Sequence, residues 1–173
     1  GVEIEPQHHS RARAQALYIL SRSADVQTNI IVRDGWFNRA FENGGVNVPL
    51  VRQSRAEFYE NMFGSDYVLC ARGMGNYSIR FYETLCSGRI PVFVNTDCVL
   101  PFEEWVDWRQ YCVWVEEEEL PHIAERVAEF HERLSPAEFQ DLQMACRRLW
   151  EEWLSPYGFF KNFHRHFRAE GAR

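Results

Sequence analysis

The chain has 173 residues, 46% of them hydrophobic and 25% charged, with a net charge of −6. These are the proportions of a water-soluble protein long enough to bury a full core. The acidic balance argues against nucleic acid as the main partner, because a phosphate backbone demands a basic face. No apolar run approaches the ~20 residues of a membrane span, and the N-terminus has no signal-peptide pattern.

Taken in chain order, Ser10–Arg22 is rich in helix formers, with Ala14, Leu17, Ile19 and Leu20 as an apolar stripe behind basic residues. Asn29–Val32 reads as a short strand ending in the turn Arg33-Asp34-Gly35. Residues 35–52, with Gly44-Gly45, Asn47 and Pro49, read as a long surface loop. Ser54-Arg55-Ala56-Glu57 has the form of a capping box, opening a helix that stops at Gly64.

From Tyr67 the pattern tightens: an apolar run (67–71), a glycine loop (72–77), an amphipathic helix (78–87), Gly88, and a second apolar run (90–94). Strand, loop, helix, strand is a βαβ unit. A polar-aromatic connection (105–110), another strand (111–115) and the carboxylate run Glu116–Glu119 follow, the last read as a solvated entry to a helix over 119–133 rather than a metal site. Ser135-Pro136-Ala137-Glu138 is a second capping box, opening a helix to about Leu154. Residues 157–169 form a last helix whose aromatic side suits docking, onto this core or onto a neighbouring domain. The sum is an α/β chain with a Rossmann-like parallel sheet flanked by helices, one domain over 1–173 with a helical tail from 154.

The chemistry concentrates in the first βα turn, where free backbone N–H groups and the positive helix end suit an anion. Gly73-Met74-Gly75 lacks the third glycine of a dinucleotide fingerprint, and the loop has no P-loop Lys. What remains is an anion seat lined by Arg72, the Gly73 and Gly75 amides and Ser78, to which Arg80 adds a fork of donors suited to a diphosphate. Glu83 lies three residues past Arg80 on the same helix side. It forms either a surface ion pair or, one turn beyond a phosphate seat, a two-point acceptor for a ribose diol. Asn95-Thr96-Asp97 opens on the same sheet edge, to meet a sugar hydroxyl or simply to turn the chain. No Cys/His cluster has zinc spacing, and the five separated cysteines read as free thiols in a reducing compartment.

The stretch SDYVLCARGMGNYSIRFYETLCSGRIPVFVNTDCVLPFEEWVDW resembles the exostosin family of glycosyltransferases. The shared elements are Arg72-Gly73, Ser78-x-Arg80-Phe81-x-Glu83, Gly88-x-x-Pro91-Val92, Leu100-Pro101-Phe102 and Asp107-Trp108, with a looser likeness over residues 10–71. The resemblance implies the C-terminal, donor-binding half of a two-Rossmann-domain (GT-B) enzyme. Such an enzyme takes a uridine diphosphate sugar, needs no obligatory metal or other cofactor, and leans toward inversion. By that similarity Arg80 and Glu83 carry the catalytic weight. Arg72, Gly73, Gly75, Asn76, Ser78, Arg80, Glu83 and Asp97 form the donor site, and an N-terminal domain supplies the glycan acceptor site and the general base. The alternative is a non-catalytic nucleotide- or sugar-binding module of the same fold. Free cysteines favour a cytoplasmic setting, against a domain cut from an anchored Golgi lumenal enzyme.

Overall fold

A computed structural model describes residues 11–33, 40–41, 45–73 and 75–167. Helix α1 (Arg11–Leu20) comes first, then α2 (Val48–Phe63), β1 (Tyr67–Cys70), α3 (Ile79–Cys86), β2 (Ile90–Asn95) and β3 (Val113–Glu116). Helices α4 (Ile123–Glu132), α5 (Pro136–Leu149) and α6 (Pro156–Phe163) complete the order. The sheet is parallel, in the order β1-β2-β3, with Val68 opposite Pro91 and Val94 opposite Val115. An α/β, Rossmann-like arrangement is therefore present. β2 is central and apolar from Ile90 to Val94, as a strand covered on both faces must be.

Alternation along the strands divides the core. Val92, Val94, Val113 and Val115 face α1 and α4, meeting Ala12, Ala16, Ile123 and Val127. Phe93 and Cys70 face the other way, onto Phe81 and Leu85 of α3 and Cys146 and Leu149 of α5. Phe81 is fully buried, its ring 4.9 Å from that of Phe93 and 5.5 Å from that of Trp108. Burial of such a side chain stabilises the fold by about 1.5–3 kcal/mol. Helix α3 ends in a Schellman motif, in which Gly88 N–H donates to Leu85 and Arg89 N–H to Thr84. Gly88 sits at φ +61°, where a side chain would be strained, so this glycine is what lets α3 turn directly into β2.

The structure corrects several boundaries. The helix assigned to a Ser54 cap begins seven residues earlier: Asn47 caps it by accepting from Leu50 N–H, and Pro49 lies in its first turn. Ser54 is buried in mid-helix and Glu57 pairs with Arg33 at 3.2 Å. The earlier cap and proline win because they satisfy helix-start groups before the chain reaches Ser54. The expected strand at 29–32 has no ladder; Ile30, Ile31 and Val32 are exposed, and the segment is fastened to α2 by Asn61 donating to the Asn29 carbonyl. Its β-branched residues favour extended backbone, but extension alone does not supply a partner strand.

The third strand starts two residues late because Asp107 caps a 3-10 turn over Trp108–Tyr111. The acidic run is a helix entry, as read: Glu116 and Glu119 form a capping box for a 3-10 turn ahead of α4, and Arg126 pairs with Glu119. Beyond α5 the helix widens into a π turn at Trp150–Leu154. In α6, Phe159 packs 5.6 Å from Phe102 of this core, while Phe160 stays exposed. The last helical stretch turns 3-10 at His164–Phe167, and the expected residues 168–169 lie outside the described residues.

Candidate active site

The C-terminal ends of parallel strands leave chain and dipoles pointing outward, so the loop from β1 to α3 is the first place to look for chemistry. Ser78 stands at the N-cap of α3, where a serine ordinarily accepts from the helix's own N–H groups. Here it makes no such bond. Its hydroxyl is buried, the residue is only 6% exposed, and Oγ has no partner among the described residues. Arg72 Nε is likewise buried and without a partner among the described residues. Buried polar atoms without partners are rare in folded proteins, and these two lie in one loop, Ser78 at a helix start with free N–H groups.

Other residues of the loop are engaged with the protein. Gly73 N–H donates to Tyr77 O at 3.2 Å, closing the loop on itself. A Cβ at Gly75 would lie 2.4 Å from the Tyr77 ring, so glycine is what allows that tyrosine to fold back over the loop. Asn76 is a tie: its Nδ2 donates to the carbonyls of Thr96 (2.9 Å) and Asp97 (3.1 Å), and its Oδ1 accepts from Thr96 Oγ1 at 2.7 Å. Asp97 adopts φ 56°, the left-handed turn that short polar residues tolerate, and its side chain is exposed. Met74 lies outside the described residues.

Arg80 packs its guanidinium 4.3 Å from the centre of the Phe58 ring on α2, with Nε 3.5 Å from Glu83 Oε2. The ion pair anticipated from their spacing is thus formed. Burial pulls the proton affinity of Arg80 down, Glu83 opposes that shift, and the charges of Arg13 and Arg33 add to it. Those two arginines did not figure in the sequence-derived site. Arg13 reaches from α1 to donate to Ala71 O at 2.9 Å, at the end of β1. Arg33 donates to the Ser54 carbonyl and to Glu57 and keeps a buried, unpaired Nε. No local signal marks them, since Arg13 touches a residue 58 positions away and otherwise resembles the solvated back of an amphipathic helix. Four guanidiniums (Arg13, Arg33, Arg72, Arg80) stand against two carboxylates (Glu57, Glu83). In a chain of net charge −6 this is a local positive excess, the kind of charge that attracts anions.

The family model for the exostosin GT47 domain matches residues 10–130. The chain belongs to the exostosin glycosyltransferase family. Exostosin-1 of Drosophila melanogaster is 36% identical over 139 residues, covering 80% of this chain and 18% of that protein. A probable glucuronosyltransferase of Oryza sativa subsp. japonica is 38% identical over 68 residues, covering 39% of this chain and 16% of its own length. A probable beta-1,4-xylosyltransferase of Arabidopsis thaliana is 35% identical over 66 residues, covering 38% and 16%. The chain therefore spans less than a fifth of the curated exostosin relatives it matches. Among the described residues of this exostosin chain no cluster of three or more His, Cys, Asp or Glu has the form of a metal site. Among them too, no helix is long and apolar enough to cross a membrane.

The opposite side of the same sheet edge is closed. Glu116, at the end of β3, accepts from Asn95 Nδ2 (2.6 Å), Trp114 Nε1 (2.8 Å) and Arg109 Nη2 (2.8 Å). These donors, the Asn95 bond first, hold its carboxyl below the usual carboxylate range. Cys70, Cys112 and Cys146 are buried thiols, and burial pushes Cys70 and Cys146 up to about 12. They are packing groups, not nucleophiles.

Proposed function

We propose that this chain binds the donor of a sugar transfer, a uridine diphosphate sugar, and that a longer protein containing it passes the sugar to a glycan acceptor. The observation that carries the reading is the pair of buried, unpartnered groups, Ser78 Oγ and Arg72 Nε, beside the N-terminus of α3. A diphosphate supplies oxygen acceptors for both and for the Arg80 fork. Glu83, one turn on, takes the ribose hydroxyls, exchanging its contact with Arg80 for two O–H donors. In the reaction an acceptor hydroxyl forms a bond to the sugar's anomeric carbon. The bond to the diphosphate breaks, and the electron pair leaves with the uridine diphosphate. Arg80, Arg72, Ser78 and the helix end stabilise that departing charge from fixed positions, which lowers the barrier without calling on a metal ion. Inversion at the anomeric carbon, a base from a separate acceptor domain and a reducing, cytoplasmic setting belong to the same proposal. The names of the relatives make glucuronate and xylose the first donor sugars to try.

The deciding experiment is a calorimetric titration of the chain with uridine diphosphate, with and without magnesium, beside adenosine diphosphate and a nicotinamide dinucleotide. Selective binding of the uridine nucleotide, equal with and without magnesium and weakened by Glu83→Ala, is the expected result. Failure of every nucleotide to bind would overturn the donor reading for this chain. Unchanged affinity in Glu83→Ala would remove the ribose role alone.

A further inference from the structure

The loop that leaves β2 does more than return the chain to β3. Between Asp97 (φ 56°) and Phe102 (φ 59°), two non-glycine residues in the left-handed region, it makes two sharp turns, and the second is locked into the core. Phe102 is buried, with rings of Trp153, Phe159 and His166 all within 5.6 Å of its centre. So anchored, the following residues Glu103, Glu104 and Trp105 stand as a ridge between two adjoining hollows of about 600 and 450 Å³. Both hollows fall in the size range of ligand sites. One continues to the Phe102–His166 stack and Tyr82, the other to Trp114, Asp107 and Arg109.

Three features give the ridge its chemistry. Trp105 is half-buried, braced edge-on by Phe102 and His166, and its indole N–H has no protein partner among the described residues. Glu103 and Glu104 are exposed and have no ion-pair partner among the described residues. Asp107 is occupied as a turn cap, and Arg109 is neutralised by Glu116. A fixed aromatic body with a free donor, next to hydrogen-bond acceptors with unused lone pairs, matches a polyhydroxylated ring, which presents C–H faces and O–H edges together. The same two carboxylates repel a ring that carries its own carboxylate.

The ridge also adjoins the anion seat. Cys98, in the wall of the second hollow, feels Glu103 on one side and Arg72 on the other, the first raising and the second lowering its proton affinity, on top of burial. The geometric link is Asn76, which ties the seat loop to the Thr96 and Asp97 carbonyls, where the loop that carries the ridge begins.

We propose that the groove along Glu103-Glu104-Trp105 binds the end of an uncharged glycan, stacked on Trp105, and excludes acidic glycans through Glu103 and Glu104. This rests on the donor reading above for its role, as this chain's own contribution to holding a glycan whose reacting end lies in the separate acceptor domain, but its binding chemistry is independent of it. The test is saturation-transfer NMR on the 173-residue chain with neutral xylan- and cellulose-derived hexasaccharides and with a hexagalacturonate, together with uridine diphosphate calorimetry on the same samples. At least one neutral hexasaccharide should receive saturation with a millimolar Kd, and the hexagalacturonate should not. Trp105→Ala should abolish that signal and leave uridine diphosphate affinity within twofold.

Because Trp105→Ala also removes packing, the exposed double variant Glu103→Gln/Glu104→Gln is the second arm. It should keep neutral binding and admit the hexagalacturonate, a gain of at least threefold in saturation. No neutral signal in the parent chain would overturn the proposal, as would equal acceptance of the acidic glycan or indifference to both variants. Preferential binding of an oligolysine peptide that displaces the sugars would reassign the ridge to a cationic protein segment. Uridine diphosphate binding without glycan binding would sink the groove alone. Glycan binding without uridine diphosphate binding would sink the donor reading alone.

Discussion

The two sides of one sheet edge are built to opposite rules. At the end of β3 the half-buried polar groups have found one another: Glu116 accepts from Asn95, Trp114 and Arg109, and Asn76 and Thr96 bond each other at the turn after β2. At the end of β1, Ser78 Oγ and Arg72 Nε are buried with nothing to bond among the described residues, and arginines outnumber carboxylates. A satisfied network stabilises the fold whether or not ligand is present. An unsatisfied one costs stability until a ligand arrives, and returns that cost as affinity. Substitutions on the two sides should therefore separate binding from stability.

The largest effect is expected from Arg80→Ala, which removes a charged fork and should weaken uridine diphosphate binding by about 2 kcal/mol, or about thirtyfold, in calorimetry. Arg80→Lys should also lose affinity, because a point charge replaces two parallel donors. If lysine binds as well as arginine, the forked contact is wrong. On the closed side, Glu116→Ala should lower unfolding free energy by about 1–2 kcal/mol in urea, since Asn95 and Trp114 lose their acceptor, and should leave nucleotide affinity alone. A fall in affinity as large as the fall in stability would erase the distinction between the two sides.

Ser78→Ala is the sharper probe although smaller. The hydroxyl has no partner among the described residues, so its removal should leave Tm unchanged or slightly higher while binding falls by about 1 kcal/mol. A lowered Tm would mean the hydroxyl already supports the fold. The smallest effect is on pH dependence. The proton affinity of Glu116 is lowered in the folded state, so its contribution is complete above the ordinary carboxylate range. It is lost as pH falls below the ordinary carboxylate range toward the lower folded value. Glu116→Gln should flatten that part of the acid-unfolding curve, and an unchanged slope would show that the network does not hold the charged form.

The sequence alone determined the βαβ unit, because each of its signals is local: two apolar runs, a glycine loop, an amphipathic helix and the Gly88 stop follow one another within 28 residues. Three of the elements that carry the family likeness lie in the same unit and two, Leu100-Pro101-Phe102 and Asp107-Trp108, follow it closely, which is why the chain's membership in the exostosin family was legible there. Local signals failed where two competed or where a partner was needed. Asn47 and Pro49 outranked the apparent Ser54 cap, and Asn29–Val32 had the composition of a strand without a neighbour to pair with. Only the tertiary structure decided which site residues were already engaged. Asn76 reads in sequence like a ligand group, yet folding places Thr96 and Asp97 across from it. Arg13 reads like surface, yet α1 packing delivers it to the end of β1. A hydrogen bond between residues far apart in the chain exists only when the core has set both backbones, so the division between satisfied and unsatisfied groups is a property of the packed sheet and not of any stretch of sequence.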